Sequence, residues 1–403
     1  MSLRSALVSG PNLTAGFLTM LVGVTSSIAL VYQAAHGAGA DSATIGSWIG
    51  ALGLGMAAAS IGLSLFYRSP VIIAYSTPGA ALLVTALPHL SLNEATGAFL
   101  VSALLMLVCG LTGLFARAMN RIPPGIAASM LAGILARLAM ETSTALAGQG
   151  VLIAGMFLTY LLGKRFWPRY AIMIVLAAGV VLVALQGQLH GGALTLSLTD
   201  PVFTAPIFSW RAIIGVGIPL FFVTMAGQNA PGVAVMRAHG YQTPISPLIT
   251  VSGVTTLVLA PFGGFAFNLA AISAALCMGR EAHADPGLRY GAAIFAGLFY
   301  LLLALFGATV GNLLSVFPPE FVTAIAGFAL LGTIGSSLAV AMKDDGQRES
   351  ALVTFLVTAS GVSLFQVSSA FWGLIAGMIA LVILRFSFAK VGGSISRAEM
   401  DTR

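Results

Sequence analysis

Val71-Ile72-Ile73-Ala74-Tyr75-Ser76-Thr77-Pro78-Gly79-Ala80-Ala81-Leu82-Leu83 is the stretch on which the fold turns. A β-leaning run meets two hydroxyl residues and then a helix-forming run. Thr77 fits a helix N-cap and Pro78 the first helical position, where its missing N–H removes no hydrogen bond. The stretch therefore reads as extended chain breaking into a helix start. It lies inside a long apolar region. Irregular backbone at membrane depth is tolerated only where it is buried in protein or lines a cavity. A helix N-terminus there offers unpaired N–H groups and a partial positive charge, which together suit an anion.

The surrounding composition fixes the solvent. Of 403 residues, 58% are hydrophobic and only 7% charged, too few charges to cover a soluble domain of this size. The chain reads as an all-α polytopic membrane protein. Its 47 glycines and 17 prolines suit transmembrane helices better than soluble ones. Cys109 and Cys277 both fall in apolar spans and have neither disulfide nor metal spacing. The run from Leu13 to Ala35 is too long for an ordinary signal peptide and reads as a retained first helix.

Apolar spans fall at about 13–36, 44–66, 70–88, 95–116, 123–140, 146–163, 168–188, 212–236, 245–260, 262–278, 288–314, 320–341, 350–367 and 370–389, fourteen in all. With the N-terminus in the cytoplasm, strict alternation puts every Lys and Arg on the cytoplasmic side except Arg137 and Arg211. That split supports an even count with both termini cytoplasmic. The positive net charge is thus explained by cytoplasmic loops, and nucleic acid is not implied.

The longest polar connection, about Gln186 to Trp210, divides the chain into 1–190 and 191–403, seven spans each. The halves echo one another. Arg121-Ile122-Pro123-Pro124-Gly125 opens span five and Val316-Phe317-Pro318-Pro319-Glu320 opens span twelve. The counterpart of the opening stretch is Pro261-Phe262-Gly263-Gly264-Phe265-Ala266-Phe267-Asn268-Leu269-Ala270-Ala271, where an extended segment precedes a helix that Asn268 can cap. An odd number of spans per half inverts the second half. Inverted repeats with interrupted helices at matching positions point to a transporter's central site.

Candidate ligand contacts follow. Tyr75, Ser76, Thr77 and Gly79 lie at the first half-helix; Phe265, Phe267 and Asn268 lie at the second. Gln228 and Asn229 in span eight serve either as inter-helix glue or as substrate contacts. Ser26 and Tyr32 are the polar candidates of span one. Tyr75, Phe265 and Phe267 can pack on a flat ring beside an anion hole. No acidic residue sits mid-span in spans eight or ten, and no nucleotide loop, metal spacing or nucleophile–base set occurs. Neither an ATP-driven pump nor an enzyme is indicated, and no cofactor is expected. Glu281, Asp285, Arg280, His283 and Arg289 read as a local charge network in a loop.

Four segments are similar to the benzoate–proton symporter family, BenE: Gly23-Val24-Thr25-Ser26-Ser27, Tyr75-Ser76-Thr77-Pro78-Gly79-Ala80, Gln228-Asn229-Ala230-Pro231-Gly232-Val233-Ala234-Val235 and Cys277-Met278-Gly279-Arg280-Glu281-Ala282-His283. That family is related to nucleobase–cation symporters and to sulfate and bicarbonate transporters. The resemblance implies a 7+7 inverted repeat, with spans 1–4 and 8–11 as a core domain and 5–7 and 12–14 as a gate domain. It implies a short strand plus half-helix in segments 3 and 10, and a homodimer through the gate domains. The implied activity is import of benzoate or a related aromatic carboxylate with protons. Nucleobase symporters carry an acid in span eight; here Gln228 stands there, and an amide cannot take a proton. The proton carrier is then either a remote acid, Glu94 or Glu141, or the substrate carboxylate itself. Another small anion, a nucleobase, or an anion channel of the same fold is the alternative reading; a sensor or scaffold would need a soluble module that this chain lacks.

Overall fold

The computed structural model describes residues 6–7, 9–25, 27–113, 124–144, 148–189, 196–362, 364 and 369–385. Ser26, Arg4, Arg117, Arg121, Pro123, His190, Lys390, Arg397 and Arg403 lie outside the described residues, as does the side chain of Glu141.

Apolar runs become helices with polar punctuation at their ends. α1 (Gly10–Thr25) and α2 (Ile28–Gly37) form one broken span. α3 (Ser42–Tyr67) starts at Asp41, whose carboxylate accepts from Thr44 N at 2.8 Å. Next come β1 (Ile73–Tyr75), α4 (Thr77–Ala86) and α5 (Leu92–Thr112). α5 opens with a capping box between Ser91 and Glu94. α6 (Pro124–Thr144), α7 (Gly150–Phe166) and α8 (Ala171–Leu185) complete the first half. The second half holds α9 (Trp210–Ala238), α10 (Ile245–Leu259), β2 (Phe267–Leu269), α11 (Ile272–Met278), α12 (Tyr290–Leu305), α13 (Gly307–Ser315), α14 (Pro319–Ala341), α15 (Arg348–Ala359) and α16 (Ser369–Arg385).

Among the described residues, seven helices are long and apolar enough to cross a membrane. The chain is an all-α polytopic membrane protein, and its described residues include a buried two-stranded sheet. Leu104 and Leu111 on α5, and Ile379 and Ile383 on α16, are exposed, as lipid-facing residues should be.

Helix packing is crosswise. α3 packs on α12, α5 on α10, and α6 on α14. At the first crossing a Cβ on Gly53 would come within 2.6 Å of Ala304 N; at the second, a Cβ on Gly253 would come within 2.9 Å of Leu107 N. Glycine is what lets each backbone pair approach, since lipid gives no hydrophobic drive to bring helices together. The polar connection 196–209 runs extended across the helix ends. Thr199 N donates to Leu305 O, Val202 N to Ser47 Oγ, Thr204 N to Pro261 O and Ile207 N to Asn93 O.

Two expectations are corrected. The span read as 288–314 is two helices, because the chain leaves helical geometry at Phe306 (φ −109°, ψ 22°) and restarts at Gly307. The span read as 350–367 ends as helix at Ala359, and Gly361 follows in the left-handed region at φ +69°.

Candidate functional site

The two interrupted segments meet. β1 and β2 pair antiparallel with Ile73 opposite Leu269, Ala74 opposite Asn268 and Tyr75 opposite Phe267. Ser76 N donates to Ala266 O at 3.1 Å and Ala270 N to Ile72 O at 2.9 Å, extending the ladder at both ends. A two-stranded sheet has two open edges, and neither can be left bare inside a membrane protein. Side chains close both. Ser60 Oγ accepts from Ile73 N at 2.9 Å and Ser64 Oγ from Val71 N at 3.1 Å, along the β1 edge. Thr256 Oγ1 accepts from Phe267 N at 3.2 Å and Asn229 Oδ1 from Leu269 N at 2.9 Å, along the β2 edge. Ser60 and Ser64 come from α3, Thr256 from α10 and Asn229 from α9.

The pairing sets where each helix begins. Ser76, not Thr77, is the N-cap of α4: its Oγ accepts from Gly79 N at 3.0 Å, and Thr77 is the first helical residue. Both positions carry hydroxyls, and the strand ends one residue earlier than the Pro78 spacing suggests. Asn268 does not cap α11. It sits mid-strand, with Nδ2 donating to Ala266 O at 2.9 Å and Oδ1 buried without a hydrogen-bond partner. α11 starts at Ile272 after Ala271, with no side-chain cap. Its far end is held by Arg289, whose Nη1 donates to Met278 O at 2.8 Å while Nε donates to His283 O. Arg289 thus serves backbone carbonyls of the loop expected to hold a charge network.

A cavity of about 550 Å³ lies between these helix starts and the helices α6, α7, α8 and α14. Thr77 and Pro78 open onto it from one half, and Ala270, Ala271 and Ser273 from the other. Tyr75 lines it with its hydroxyl 2.8 Å from Ser27 Oγ. Gln228 lines it from α9, in a π-helical turn over Met225–Asn229 that departs from regular α geometry. Among the described residues, no acidic one lines it.

Other expected contacts lie elsewhere. Asn229 is fully buried against β2, and its Nδ2 reaches Met225 Sδ at 3.1 Å. Ser76 and Gly79 spend hydroxyl and N–H on each other. Phe265 is buried among Trp48, Phe99 and Tyr75, with centroids 6.0, 5.4 and 6.2 Å away. Phe267 points at Gly55, where a Cβ would come within 2.2 Å of its ring. Tyr32 stacks on His36 at 5.9 Å, outside the cavity lining. The aromatic walls are instead Tyr75, Tyr160, Tyr300 and Phe328, with Tyr160 and Phe328 stacked at 5.8 Å. Lys164, one turn beyond Tyr160 on α7, supplies a cation. Sequence reasoning missed Tyr160, Lys164, Tyr300 and Phe328, since nothing local distinguishes them from packing or loop residues.

The family model described as benzoate membrane transport protein, BenE, matches residues 6–383. The chain belongs to this family. As a member, it is similar to the inner membrane protein YdcO of Escherichia coli, at 47% identity over 95% of this chain and 98% of that one. It is also 40% identical to the benzoate membrane transport protein of Acinetobacter baylyi, over 92% and 94% of the two chains. Its fold matches the structure of SLC26A9 with a TM-score of 0.62 at 14% identity, covering 96% of this chain and 67% of that one. It also matches the transmembrane domain of the cyanobacterial bicarbonate transporter BicA, with a TM-score of 0.57 at 15% identity, covering 93% and 98%. Like its family, the protein is a membrane transporter and not an enzyme.

Proposed function

We propose that the protein imports benzoate or a closely related aromatic carboxylate together with protons, by alternating access. One observation carries the substrate class: a single cavity of about 550 Å³ has backbone from both interrupted segments, Gln228, a lysine and four aromatic side chains, with no acid among the described residues of its lining. Thr77 N, at the first position of α4, and the turn at Ala270–Ser273 hold the carboxylate; Pro78 has no N–H, and Gly79 N is taken by Ser76 Oγ. α11 has only seven residues, so α4 supplies most of the dipole. Thr77 and Gln228 add side-chain contacts, and Tyr75, Tyr160, Tyr300 and Phe328 pack on the ring.

The fourteen spans form a 7+7 inverted repeat, divided at about residue 190. The matched glycine crossings at Gly53 and Gly253 support this, as do the hydroxyls of α3 and α10 closing matching strand edges. Spans 1–4 and 8–11 form the core, which moves against a gate of spans 5–7 and 12–14. The protein sits in a bacterial inner membrane with both termini cytoplasmic, as a homodimer through its gates. Glu94 is engaged with Ser91 in its capping box, which leaves Glu141 or the substrate's own carboxylate as the proton carrier.

The test is uptake of labelled benzoate into proteoliposomes. Saturable uptake driven by an inward proton gradient supports the reading. Uptake of uracil or sulfate in its place would replace the substrate and leave the fold untouched; unsaturable conductance would favour a channel.

A further inference from the structure

The two ends of the central cavity differ. At one end Lys164 on α7 and Gly332 and Ser336 on α14 line it and are exposed. Span one contributes Val22, Gly23 and Ser27 to the lining, and α14 contributes residues from Phe328 to Ser336. Beyond Ser27 the chain continues as α2, and before Phe328 it is the first part of α14. These two stretches pack on each other, so they close the same end of the cavity. Leu30, Val31 and Ala34 on α2 are buried there, as are Phe321, Val322 and Ala324 on α14.

A side-chain hydrogen bond crosses this closed end. Gln33 Nε2 donates to Thr323 Oγ1 at 3.2 Å. Gln33 lies about 9 Å along the helix past Ser27, and Thr323 about 8 Å before Phe328, at 1.5 Å per residue. Both are outside the cavity lining. An amide at membrane depth is costly unless a neighbouring helix satisfies it. The receiving side is itself fixed. Thr142 Oγ1 on α6 donates to Thr323 O at 3.1 Å, and Gly327, one turn further along α14, leaves room for the Thr142 side chain. α2 belongs to the core, and α6 and α14 to the gate. The bond therefore joins the two bodies that alternating access must part at this end.

We propose that Gln33 and Thr323 are positioning residues for transport: their hydrogen bond is a latch that holds the outer end of the core–gate seam shut while the cavity is open at the Lys164 end. The bond breaks when core and gate separate to admit an aromatic carboxylate from outside. Its strength weights the two states, and one net hydrogen bond shifts such an equilibrium about two- to tenfold. This role rests on the division into core and gate and on the proposed orientation; it is independent of which anion is carried.

The test uses Thr77→Cys as a reporter, in a full-length chain with both native cysteines replaced by alanine. A membrane-impermeant, positively charged thiosulfonate is applied to inside-out and to right-side-out membrane vesicles. With the latch intact, the reporter is labelled faster from the cytoplasmic face. Gln33→Met and Thr323→Val, each close in size to the native residue, should raise the outer-face rate about two- to tenfold without raising the cytoplasmic-face rate. Thr323→Ser keeps the hydroxyl and should keep the starting rates. The double variant Gln33→Met/Thr323→Val should go no further than either single one, because the two residues make one bond. Unchanged outer-face labelling in both single variants overturns the proposal, and so does a rise from both faces, which marks a loosened fold. The expected labelling shift in a protein that takes up no benzoate would sink the substrate reading and leave the latch standing. Benzoate uptake with labelling indifferent to both residues would do the reverse.

Discussion

At the residue scale, the two adjacent amides of α9 divide the work. Gln228 faces the cavity, and Asn229 closes the β2 edge by accepting from Leu269 N. Gln228→Ala should raise the KM for uptake about tenfold, equivalent to roughly 1.4 kcal/mol, with little change in thermal stability. Asn229→Ala should do the opposite first. It strands a buried N–H, which costs about 1–3 kcal/mol, and lowers the unfolding temperature in detergent. Ala266 is a second diagnostic position. It holds φ +45° while its carbonyl accepts from both Ser76 N and Asn268 Nδ2. Ala266→Gly should be tolerated, and Ala266→Val should destabilise by about 1–3 kcal/mol, because a β-branched residue resists the left-handed region. The sequence marked the amide pair but could not say which one faces ligand, since that depends on where β2 passes. It likewise suggested Thr77 as cap, one residue from Ser76, because both hydroxyls fit and only the strand pairing decides between them.

At the element scale, the β1–α4 unit is legible in the sequence and its support is not. Val71 to Tyr75 announces a strand, and Pro78 announces a helix start. Ser60 and Ser64, at i and i+4 on α3, look like ordinary hydroxyls that bond their own helix. In the fold they satisfy Ile73 N and Val71 N instead. Ser60→Ala therefore leaves a buried N–H unpaired and should lower stability by about 1–3 kcal/mol, read as an earlier thermal transition. Ser76 offers a sharper contrast. Ser76→Ala removes the α4 cap at about 1 kcal/mol, whereas Ser76→Asp keeps the cap and places a negative charge next to Thr77, which lines the cavity. Ser76→Asp should stay folded, by size-exclusion and thermal unfolding, and lose benzoate uptake; retained uptake would remove α4 from the site. Asn268 misled because its amide suits a cap and its neighbours favour a helix. Pairing with β1 claims it for the strand first.

At the scale of the whole molecule, hydropathy carries most of the outline. α3 was expected at 44–66 and forms over Ser42–Tyr67; α14 was expected at 320–341 and forms over Pro319–Ala341. Long apolar runs leave little freedom in where such helices end. The break at Phe306 was hidden because the sequence stays apolar through it. The cavity's aromatic walls were hidden for a different reason: Tyr160 and Phe328 are far apart in the chain, and only helix packing between α7 and α14 joins them.

The central claim is that both interrupted segments build one carboxylate site. Thr77 and Ala271 line the cavity from the two halves, and the native cysteines, Cys109 and Cys277, are buried. Thr77→Cys and Ala271→Cys can each be made in a chain with both native cysteines replaced by alanine. The measurement is the rate of labelling of each new thiol by a small positively charged thiosulfonate as benzoate is titrated. The account predicts that benzoate protects both positions with the same half-saturating concentration. Protection of one position alone, or of neither while uptake persists, would contradict it.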